Sequence, residues 1–479
     1  MKIRTRFAPS PTGFMHLGNI RTALLNYLFT HQRNGRLVLR IEDTDQERNT
    51  NEFEATILKD LVWLGIKFEE GPQIGGTHGP YCQSDRKEIY DDVFKTLVGN
   101  RLVYRCFCTP ETLQAKRSAQ AAEGKPPRYD RTCLGLPPDK VKQKIAAGVP
   151  FVWRFKINDR QRVEFEDMAR GTQKFDLAHF SDFTITRSDG SYTFLFTNFV
   201  DDWKMEISHV IRGEDHLSNT ALQGAMAHAL AIKMPVFWHL PMMCDHNGKK
   251  LSKRSAHFSL KDLKGEGFLP EAICNYLALV GGRLTGEHLT DEIQDLSGLM
   301  KKLDFHNISS TGSSKYDVEK LLWVNHKWIA RLEAQDLLKR VKPFLKHLIQ
   351  NIQIEDKDLL NLIQHVKDEA KTLVDFEALL KFRFIKPTFV ISELEPILDA
   401  NHTKKLVGIM QNESQAQDDF ESFLTNFKTV ASKEGFKPKA IFSLLRYVLT
   451  GSTSGIGIHE LNDMLGYKEI QKRIKDISI

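Results

Sequence analysis

At 479 residues the chain is too long for one hydrophobic core, and its length predicts about three domains. A hydrophobic content of 41% with 27% charged residues describes an ordinary globular composition. With no run of 18 apolar residues and no apolar stretch behind the N-terminal charges, neither a helical membrane span nor a secretory signal is expected. Six cysteines in this length do not make a disulfide framework; they predict reduced thiols in a cytoplasmic protein. The net charge of +6 is a slight pointer to a polyanionic partner. Residues 331–479 hold 22 Lys and Arg against 21 Asp and Glu, so that region must meet a polyanion with local patches.

In chain order, residues 2–8 alternate and end at prolines, which predicts a short strand; residues 9–13 are a proline- and glycine-marked loop. Ile20, Ala23, Leu24, Tyr27 and Leu28 form a helical stripe over 19–33, 37–41 reads as a compact strand, and 51–64 returns to helical spacing. Strand, helix, strand, helix opens a doubly wound α/β sheet. Residues 101–190 break the pattern with a cysteine pair, a polar stretch at 119–125, paired prolines and β-like segments such as 151–157, and read as an insertion. The α/β pattern resumes over 193–200 and 207–212, followed by a helix at 217–231 and a lysine-rich loop at 249–254. Pro270 opens a helix ended by Gly281 and Gly282. Residues 331–479 carry little β signal, with 411–419 and 451–457 the most loop-like stretches.

His16 and Gly18 stand where a strand gives way to a helix. A helix N-terminus offers free N–H groups and the positive end of a dipole, glycine lets the backbone approach closely, and histidine adds a donor, a combination suited to a triphosphate. The plainer alternative for His16 is a histidine that only caps the helix. Lys250 and Lys253 supply positive charge that can meet the charge growing on phosphate oxygens in a transition state; the plainer alternative is a solvated basic turn. Neither dinucleotide nor P-loop glycine signatures occur in the sequence.

Taken together, His16-Leu17-Gly18-Asn19 and Lys250-Leu251-Ser252-Lys253-Arg254 resemble the paired HIGH-type and KMSKS-type elements of class I aminoacyl-tRNA synthetases. Three further runs resemble the glutamyl and glutaminyl group: 6–13 (RFAPSPTG), 40–45 (RIEDTD) and 210–216 (VIRGEDH). The chain is similar to glutamyl-tRNA synthetases of bacterial type, most clearly to about residue 330. The resemblance implies an α/β Rossmann-type nucleotide-binding domain with an inserted α/β domain, followed by all-α C-terminal anticodon-binding domains. The expected divisions are the first Rossmann half at 1–100, an acceptor-stem insertion at 101–190 and the second Rossmann half at 191–260. A stem-contact domain at 261–330 and helical anticodon domains at 331–385 and 386–479 complete the chain.

The implied activity is ATP-dependent activation of L-glutamate to glutamyl-adenylate, with Mg²⁺ accompanying ATP and tRNA bound before activation, followed by transfer to the 3′ end of tRNA. The resemblance gives catalytic roles to His16, Asn19, Lys250 and Lys253. It gives ATP contacts to these and to Pro11, Thr12, Gly13, Gly18, Asp215, Leu251 and Ser252. For glutamate it implies Arg6, Ala8, Ser10, Glu42, Phe194, Asn198 and Arg212. The arginines suit bidentate carboxylate binding, and Glu42 suits the α-ammonium group. Asp43 and Asp45 read equally as turn or cap residues. Phe194 stands where the family often has tyrosine, so a hydroxyl is missing there, and Tyr192 is the nearby candidate to replace it.

Cys106, Cys108, Tyr129 and Cys133 match a zinc element of the acceptor-binding insertion in some bacterial members. Spacing alone leaves zinc and simple thiol packing equal; the resemblance favours a structural Zn²⁺. Residues 367–373 (KDEAKTL) resemble a segment that contacts the anticodon. Glu369 stands where strictly discriminating members tend to have arginine. The partners expected are therefore tRNA-Glu and/or tRNA-Gln, with the protein a monomer. The rival readings are a glutaminyl-tRNA synthetase, whose C-terminal part is a β-barrel, a short relative that modifies a tRNA base, and a non-catalytic tRNA-binding paralogue.

Overall fold

The computed structural model describes residues 2–44, 51–245, 247–249, 251, 259–280, 282–285, 292–305, 314–350 and 352–478. Asp45, Lys250, Ser252, Lys253, Arg254 and Gly281 lie outside the described residues. Two compact units are present: Met1–Asp262 with Ile273–Asp317, and Leu263–Ala272 with Val318–Ile479. Among the described residues no helix is long and apolar enough to cross a membrane.

The first unit is built on parallel strands. Arg4–Phe7 pairs in parallel with Arg36–Leu39, from Arg4 opposite Arg36 to Phe7 opposite Leu39, and helix Leu17–Gln32 connects them. His209–Gly213 pairs in parallel with Val236–Leu240 across helix Leu217–Ala229. Ser208 N donates to Arg4 O at 2.9 Å and Arg4 N to Ser208 Oγ at 2.8 Å, which ties the two βαβ halves side by side. Of the two segments in which the α/β pattern resumes, 193–200 lies largely in helix Phe194–Lys204, and 207–212 enters strand His209–Gly213.

The segment read as an insertion contributes two sheets. Val103–Cys106, Val152–Phe155 and Phe183–Thr184 form an antiparallel sheet. The hairpin Arg162–Asp167 and Gly171–Asp176 extends the parallel sheet, with Asp167 opposite Phe237 and Met168 N bonded to Phe237 O at 2.8 Å. Phe155, Val163, Phe165, Phe196, Val200, Val210 and Phe237 belong to one apolar core. This continuity follows from a parallel sheet being covered on both faces.

The strand Arg4–Phe7 is buried throughout although two of its four residues are arginines. Each guanidinium must then be answered inside the fold. Arg4 Nη1 and Nη2 donate to Glu70 Oε1 and Oε2, both at 2.6 Å, and Arg6 pairs with Asp202.

The second unit is helical, and among its described residues no strand occurs. Leu359, Ile363, Phe376 and Leu380 fill its first half; Leu406, Phe423, Phe427, Leu444 and Ile470 fill the second. The loop expectation for 411–419 is overturned over most of its length, because helix Ala400–Ala416 runs through it. Its polar residues serve tertiary contacts there: Gln411 Nε2 donates to Ile474 O at 3.2 Å and Gln471 Nε2 to Ser414 O at 2.8 Å. Residues 451–457 do form an irregular connection. Gly451 takes φ 77°, a left-handed conformation that closes helix Pro438–Thr450.

The Arg4–Glu70 pair yields a pH prediction. Burial opposes the Glu70 charge, but the Arg4 fork and the Tyr81 hydroxyl outweigh it and hold the carboxyl at about 2. This stabilisation is complete above the unfolded carboxyl range near ~4.3 and is lost as pH falls through the folded value. Glu70→Gln is expected to lower stability at pH 7 by about 2 kcal/mol. Urea unfolding followed by tryptophan fluorescence should show a flatter decline for the variant than for the native protein between pH 5 and 2.

Candidate active site

The C-terminal end of strand Arg4–Phe7 runs into residues 9–13, where Thr12 N donates to Ser10 O at 2.9 Å. His16 is the N-cap of helix Leu17–Gln32. Its Nδ1 accepts from Asn19 N, and Asn19 Oδ1 accepts from His16 N, both at 3.3 Å, a reciprocal capping box. A Cβ at Gly18 would sit 3.1 Å from His16 Nδ1 and Cε1, close enough that the imidazole would have to give by a few tenths of an ångström. The lysine loop is tied to this corner at two points. Within it, Leu251 N donates to Met243 O at 3.1 Å; after it, Ser259 bridges to His16 and Leu260 N donates to Met15 O at 2.9 Å.

A cavity of about 520 Å³ opens at this corner. Thr12, Gly13, His16, Gly18, Asn19, Asp215 and Leu251 line it, and so do Arg6, Ala8, Ser10, Glu42, Phe194, Asn198 and Arg212. Pro11 is buried and is not part of the lining, which leaves it a role in shaping the loop. The ATP and glutamate residues expected from sequence, so far as they are described, thus share one cavity apart from Pro11.

Arg6, Glu42 and Asn198 of the lining belong to a buried ionic network that continues away from the cavity. Arg6 grips Asp202 with Nε at 3.0 Å and Nη2 at 3.3 Å, and Arg40 Nη1 reaches Asp202 Oδ1 at 2.7 Å. Arg40 Nη2 donates to Glu42 Oε1 at 3.0 Å, and Asn198 Nδ2 donates to the same oxygen at 2.8 Å. Asp201 receives Arg86 Nε at 2.7 Å, Gln83 Nε2 at 2.8 Å and Tyr90 Oη at 3.0 Å. Burial pushes the Glu42 carboxyl upward against the pull of Arg40.

Arg212 differs from Arg6, Arg40 and Arg86. Its side chain donates to Asn198 Oδ1 at 3.3 Å, Thr220 Oγ1 at 2.6 Å and Gln223 Oε1 at 2.8 Å, all neutral acceptors. Among the described residues no carboxylate pairs with it, and its Nε has no hydrogen-bond partner. Burial, then the like charge of Arg6, lowers its pKa to about 9. A buried guanidinium without a counter-charge is costly unless an anion joins it. His216, whose ring centroid lies 5.5 Å from that of Phe194, is pushed down to about 4 by burial and then by Arg212, so its imidazole is neutral at pH 7.

Two sequence expectations change here. Tyr192 does not replace the hydroxyl absent at Phe194: its Oη donates to Asp91 Oδ1 at 2.7 Å, and it does not line the cavity. Asp43 is a tether, accepting from Ser84 N at 2.8 Å and Ser84 Oγ at 2.6 Å. Asp201, Asp202, Thr220, Gln223 and His216 were not singled out from sequence. The available signal was an adjacent acidic pair following Phe199 and Val200 on an otherwise apolar helical stretch.

In the inserted segment, the Cys106, Cys108 and Cys133 sulfurs converge within 4.8 Å of one another. Tyr129 Oη lies 3.3 Å from Cys106 Sγ and 3.9 Å from Cys108 Sγ, and Cys108 Sγ lies 3.6 Å from Cys133 Sγ. The Arg154 guanidinium stands 4.1 Å from the Tyr129 ring centroid. Three soft donors and one oxygen around a common point, with a cation beside them, fit the donor set of a tetrahedral zinc ion. In the second unit, Glu369 is exposed in the single turn Lys367–Glu369, directly before buried Ala370.

The family of class I tRNA synthetases (E and Q), catalytic domain, matches residues 2–323, and an anticodon binding domain family matches residues 336–478. Glutamate–tRNA ligase of Sulfurihydrogenibium sp. (strain YO3AOP1) is 37% identical, over 98% of this chain and 98% of its own. The enzyme of the same name from Hydrogenobaculum sp. (strain Y04AAS1) is 38% identical, over 98% and 99%. Crystal structures of glutamate tRNA ligases from Elizabethkingia meningosepticum, in complex with its amino acid, and from Elizabethkingia anophelis are similar. Their TM-scores are 0.83 and 0.85, each at 30% identity over 99% of both chains.

The contact between Gly18 and His16 is testable without substrate. Gly18→Ala should displace the imidazole and open the capping box, lowering stability by about 1 kcal/mol. Thermal unfolding beside the native protein measures this, with an unchanged midpoint as the contrary result.

Proposed function

The chain belongs to the glutamyl and glutaminyl group of class I tRNA synthetases, and from its site we propose that it is a glutamate–tRNA ligase acting in two steps. A carboxylate oxygen of L-glutamate attacks the α-phosphorus of ATP, forming glutamyl-adenylate and releasing pyrophosphate. A terminal ribose hydroxyl of tRNA then takes the glutamyl group, and AMP leaves.

The single observation that carries the choice of amino acid is Arg212, a buried cation facing the cavity with only neutral partners. An acidic group of the substrate supplies the missing charge in a bidentate pair. The neutral amide of glutamine would leave the guanidinium uncompensated. Arg6 is already held by Asp202; its Nη1, 3.4 Å from Ile211 O, is the nitrogen not committed to a carboxylate, so Arg6 acts as the weaker second contact. Glu42 takes both of its bonds on Oε1, which leaves Oε2 for the α-ammonium group. Ala8, Ser10, Phe194 and Asn198 complete the amino-acid side of the cavity.

On the nucleotide side, His16 and the N-terminus of helix Leu17–Gln32 meet the phosphates, with Gly18 admitting them closely. Lys250 and Lys253 belong to the loop tied to this corner, and they neutralise charge on the departing pyrophosphate. Mg²⁺ accompanying ATP would supply further charge to its phosphates. The chemistry needs no side-chain nucleophile; positioning and electrostatics supply the rate. Zinc held by Cys106, Cys108, Cys133 and Tyr129 would be structural, a closed site that fixes the inserted segment.

For tRNA choice, the helical second unit supports an anticodon-reading role of the glutamyl type rather than a β-barrel. We infer that Glu369 relaxes the choice. An exposed carboxylate accepts from base amino groups where an arginine would donate, so glutamate is loaded onto tRNA-Gln as well as tRNA-Glu.

Four measurements follow from this reading. Aminoacylation with separately purified tRNA-Glu and tRNA-Gln should consume glutamate and not glutamine, with pyrophosphate exchange appearing only when tRNA is present. Glu369→Arg should shift charging toward tRNA-Glu; a native enzyme confined to tRNA-Glu, with a ratio the substitution leaves alone, would refute the relaxed choice. Arg212→Ala should raise the glutamate KM by about a hundredfold, and Arg6→Ala by less, as one buried charged bond is lost. Metal analysis of untagged protein should find about one zinc per chain; three freely titrating thiols without zinc would favour plain packing.

A further inference from the structure

Behind Arg212 runs a chain of buried polar side chains that the reaction scheme does not use. Asp167 ends the strand Arg162–Asp167. Its Oδ1 accepts from Ala169 N at 2.9 Å and Arg170 N at 3.0 Å; its Oδ2 accepts from His239 N at 3.1 Å and lies 2.7 Å from His239 Nδ1. On the far side of the imidazole, Nε2 lies 2.7 Å from Thr220 Oγ1. Thr220 Oγ1 in turn accepts from Arg212 Nη2 at 2.6 Å. The side chains of Asp167 and His239 are 0% exposed, and Thr220 is fully buried.

The hydrogen-bond polarity of this chain follows from donor and acceptor inventory. An ionised carboxylate only accepts, so Nδ1 carries the proton and Nε2 presents a lone pair. The Thr220 hydroxyl then donates to Nε2, and its oxygen lone pairs are turned to Arg212. The competing acceptor for that hydroxyl, His216 O, is farther, at 3.2 Å. A second support, Gln223, accepts from the same Nη2 at 2.8 Å and donates to Asn198 Oδ1 at 2.9 Å. Two acceptors thus clamp one guanidinium nitrogen from behind.

We propose that Asp167, His239 and Thr220 are positioning residues for the amino-acid substrate, a directed hydrogen-bond chain that holds the Arg212 guanidinium in the orientation that receives a carboxylate. The proposal rests on the reading that Arg212 binds an acidic group of glutamate. A chain with no such role would only satisfy buried polar groups, and its loss would weaken the fold without singling out one substrate.

The test is steady-state pyrophosphate exchange by the full-length enzyme with saturating tRNA, varying glutamate and ATP separately. Thr220→Val keeps shape but removes the hydroxyl, and should raise the glutamate KM about tenfold, the cost of one unmet charged donor. The ATP KM and the rate at saturating glutamate should stay within about twofold, as expected when only binding shared by ground and transition states is removed. Thr220→Ser should restore the native glutamate KM. Asp167→Asn, which sets an amide donor against Nδ1 and so reverses the chain, should raise the glutamate KM severalfold and guards against failure of the valine variant to fold. Arg212→Ala separates the two levels of the argument. If it raises the glutamate KM while Thr220→Val and Asp167→Asn leave it native, the positioning chain is wrong and the glutamate assignment stands. If Arg212→Ala leaves the glutamate KM native, that assignment fails and the chain loses its purpose. Uniform losses in rate and both KM values, with lowered thermal midpoints, would show a merely structural chain.

Discussion

The first unit depends on a buried ionic network whose members come from distant stretches of chain. Arg6, Arg40 and Arg86 are answered by Asp201, Asp202 and Glu42, with Gln83, Tyr90 and Asn198 filling the remaining bonds. Burying a guanidinium costs several kcal/mol, recovered only when partners meet it with good geometry. Correct pairing therefore requires strand Arg4–Phe7, the residues after strand Arg36–Leu39, the turn Gln83–Arg86 and helix Phe194–Lys204 to be in place together. The same pairing leaves Arg212 with neutral acceptors only, and on the proposed glutamate reading it is the receptor for an anion.

The location of that receptor follows from the sheet. Arg6 and Arg212 each precede the last residue of a parallel strand, Arg4–Phe7 and His209–Gly213, and those strands lie side by side. In open α/β sheets ligands bind outside the carboxyl ends of such strands, where helix N-termini also gather. The helix capped by His16 begins at that same edge, so the residues proposed for glutamate and those proposed for ATP line one cavity. On that reading positive charge is supplied in two forms: a fixed buried guanidinium for the small substrate and a helix N-terminus for the phosphates.

The inserted segment is not a passive appendage to this arrangement. Its hairpin joins the parallel sheet at Asp167, and the Asp167 carboxylate reaches His239 inside the catalytic core. Its other sheet carries Cys106, whose thiol converges with those of Cys108 and Cys133. A local metal clip would compensate for the modest apolar packing around it, since the cluster has only three buried members.

What the sequence determined by itself was whatever depends on neighbours along the chain. Apolar spacing over 19–33, 51–64 and 217–231 matched helices Leu17–Gln32, Asn51–Trp63 and Leu217–Ala229, because helical periodicity is a short-range signal. The motif around His16 and the runs at 6–13 and 210–216 marked the cavity for a similar reason, since backbone close to phosphate tolerates few residue types. Composition misled at 411–416, where the Gln411 side chain donates to Ile474 O of another helix and the Ser414 carbonyl accepts from Gln471. Only the tertiary structure decided which carboxylate answers which arginine. It paired Arg6 with Asp202, turned Tyr192 toward Asp91 and left Arg212 with neutral partners. The first two pairings join residues 196 and 101 positions apart, and the energy of an ion pair depends on distance and burial in space, which no local pattern encodes.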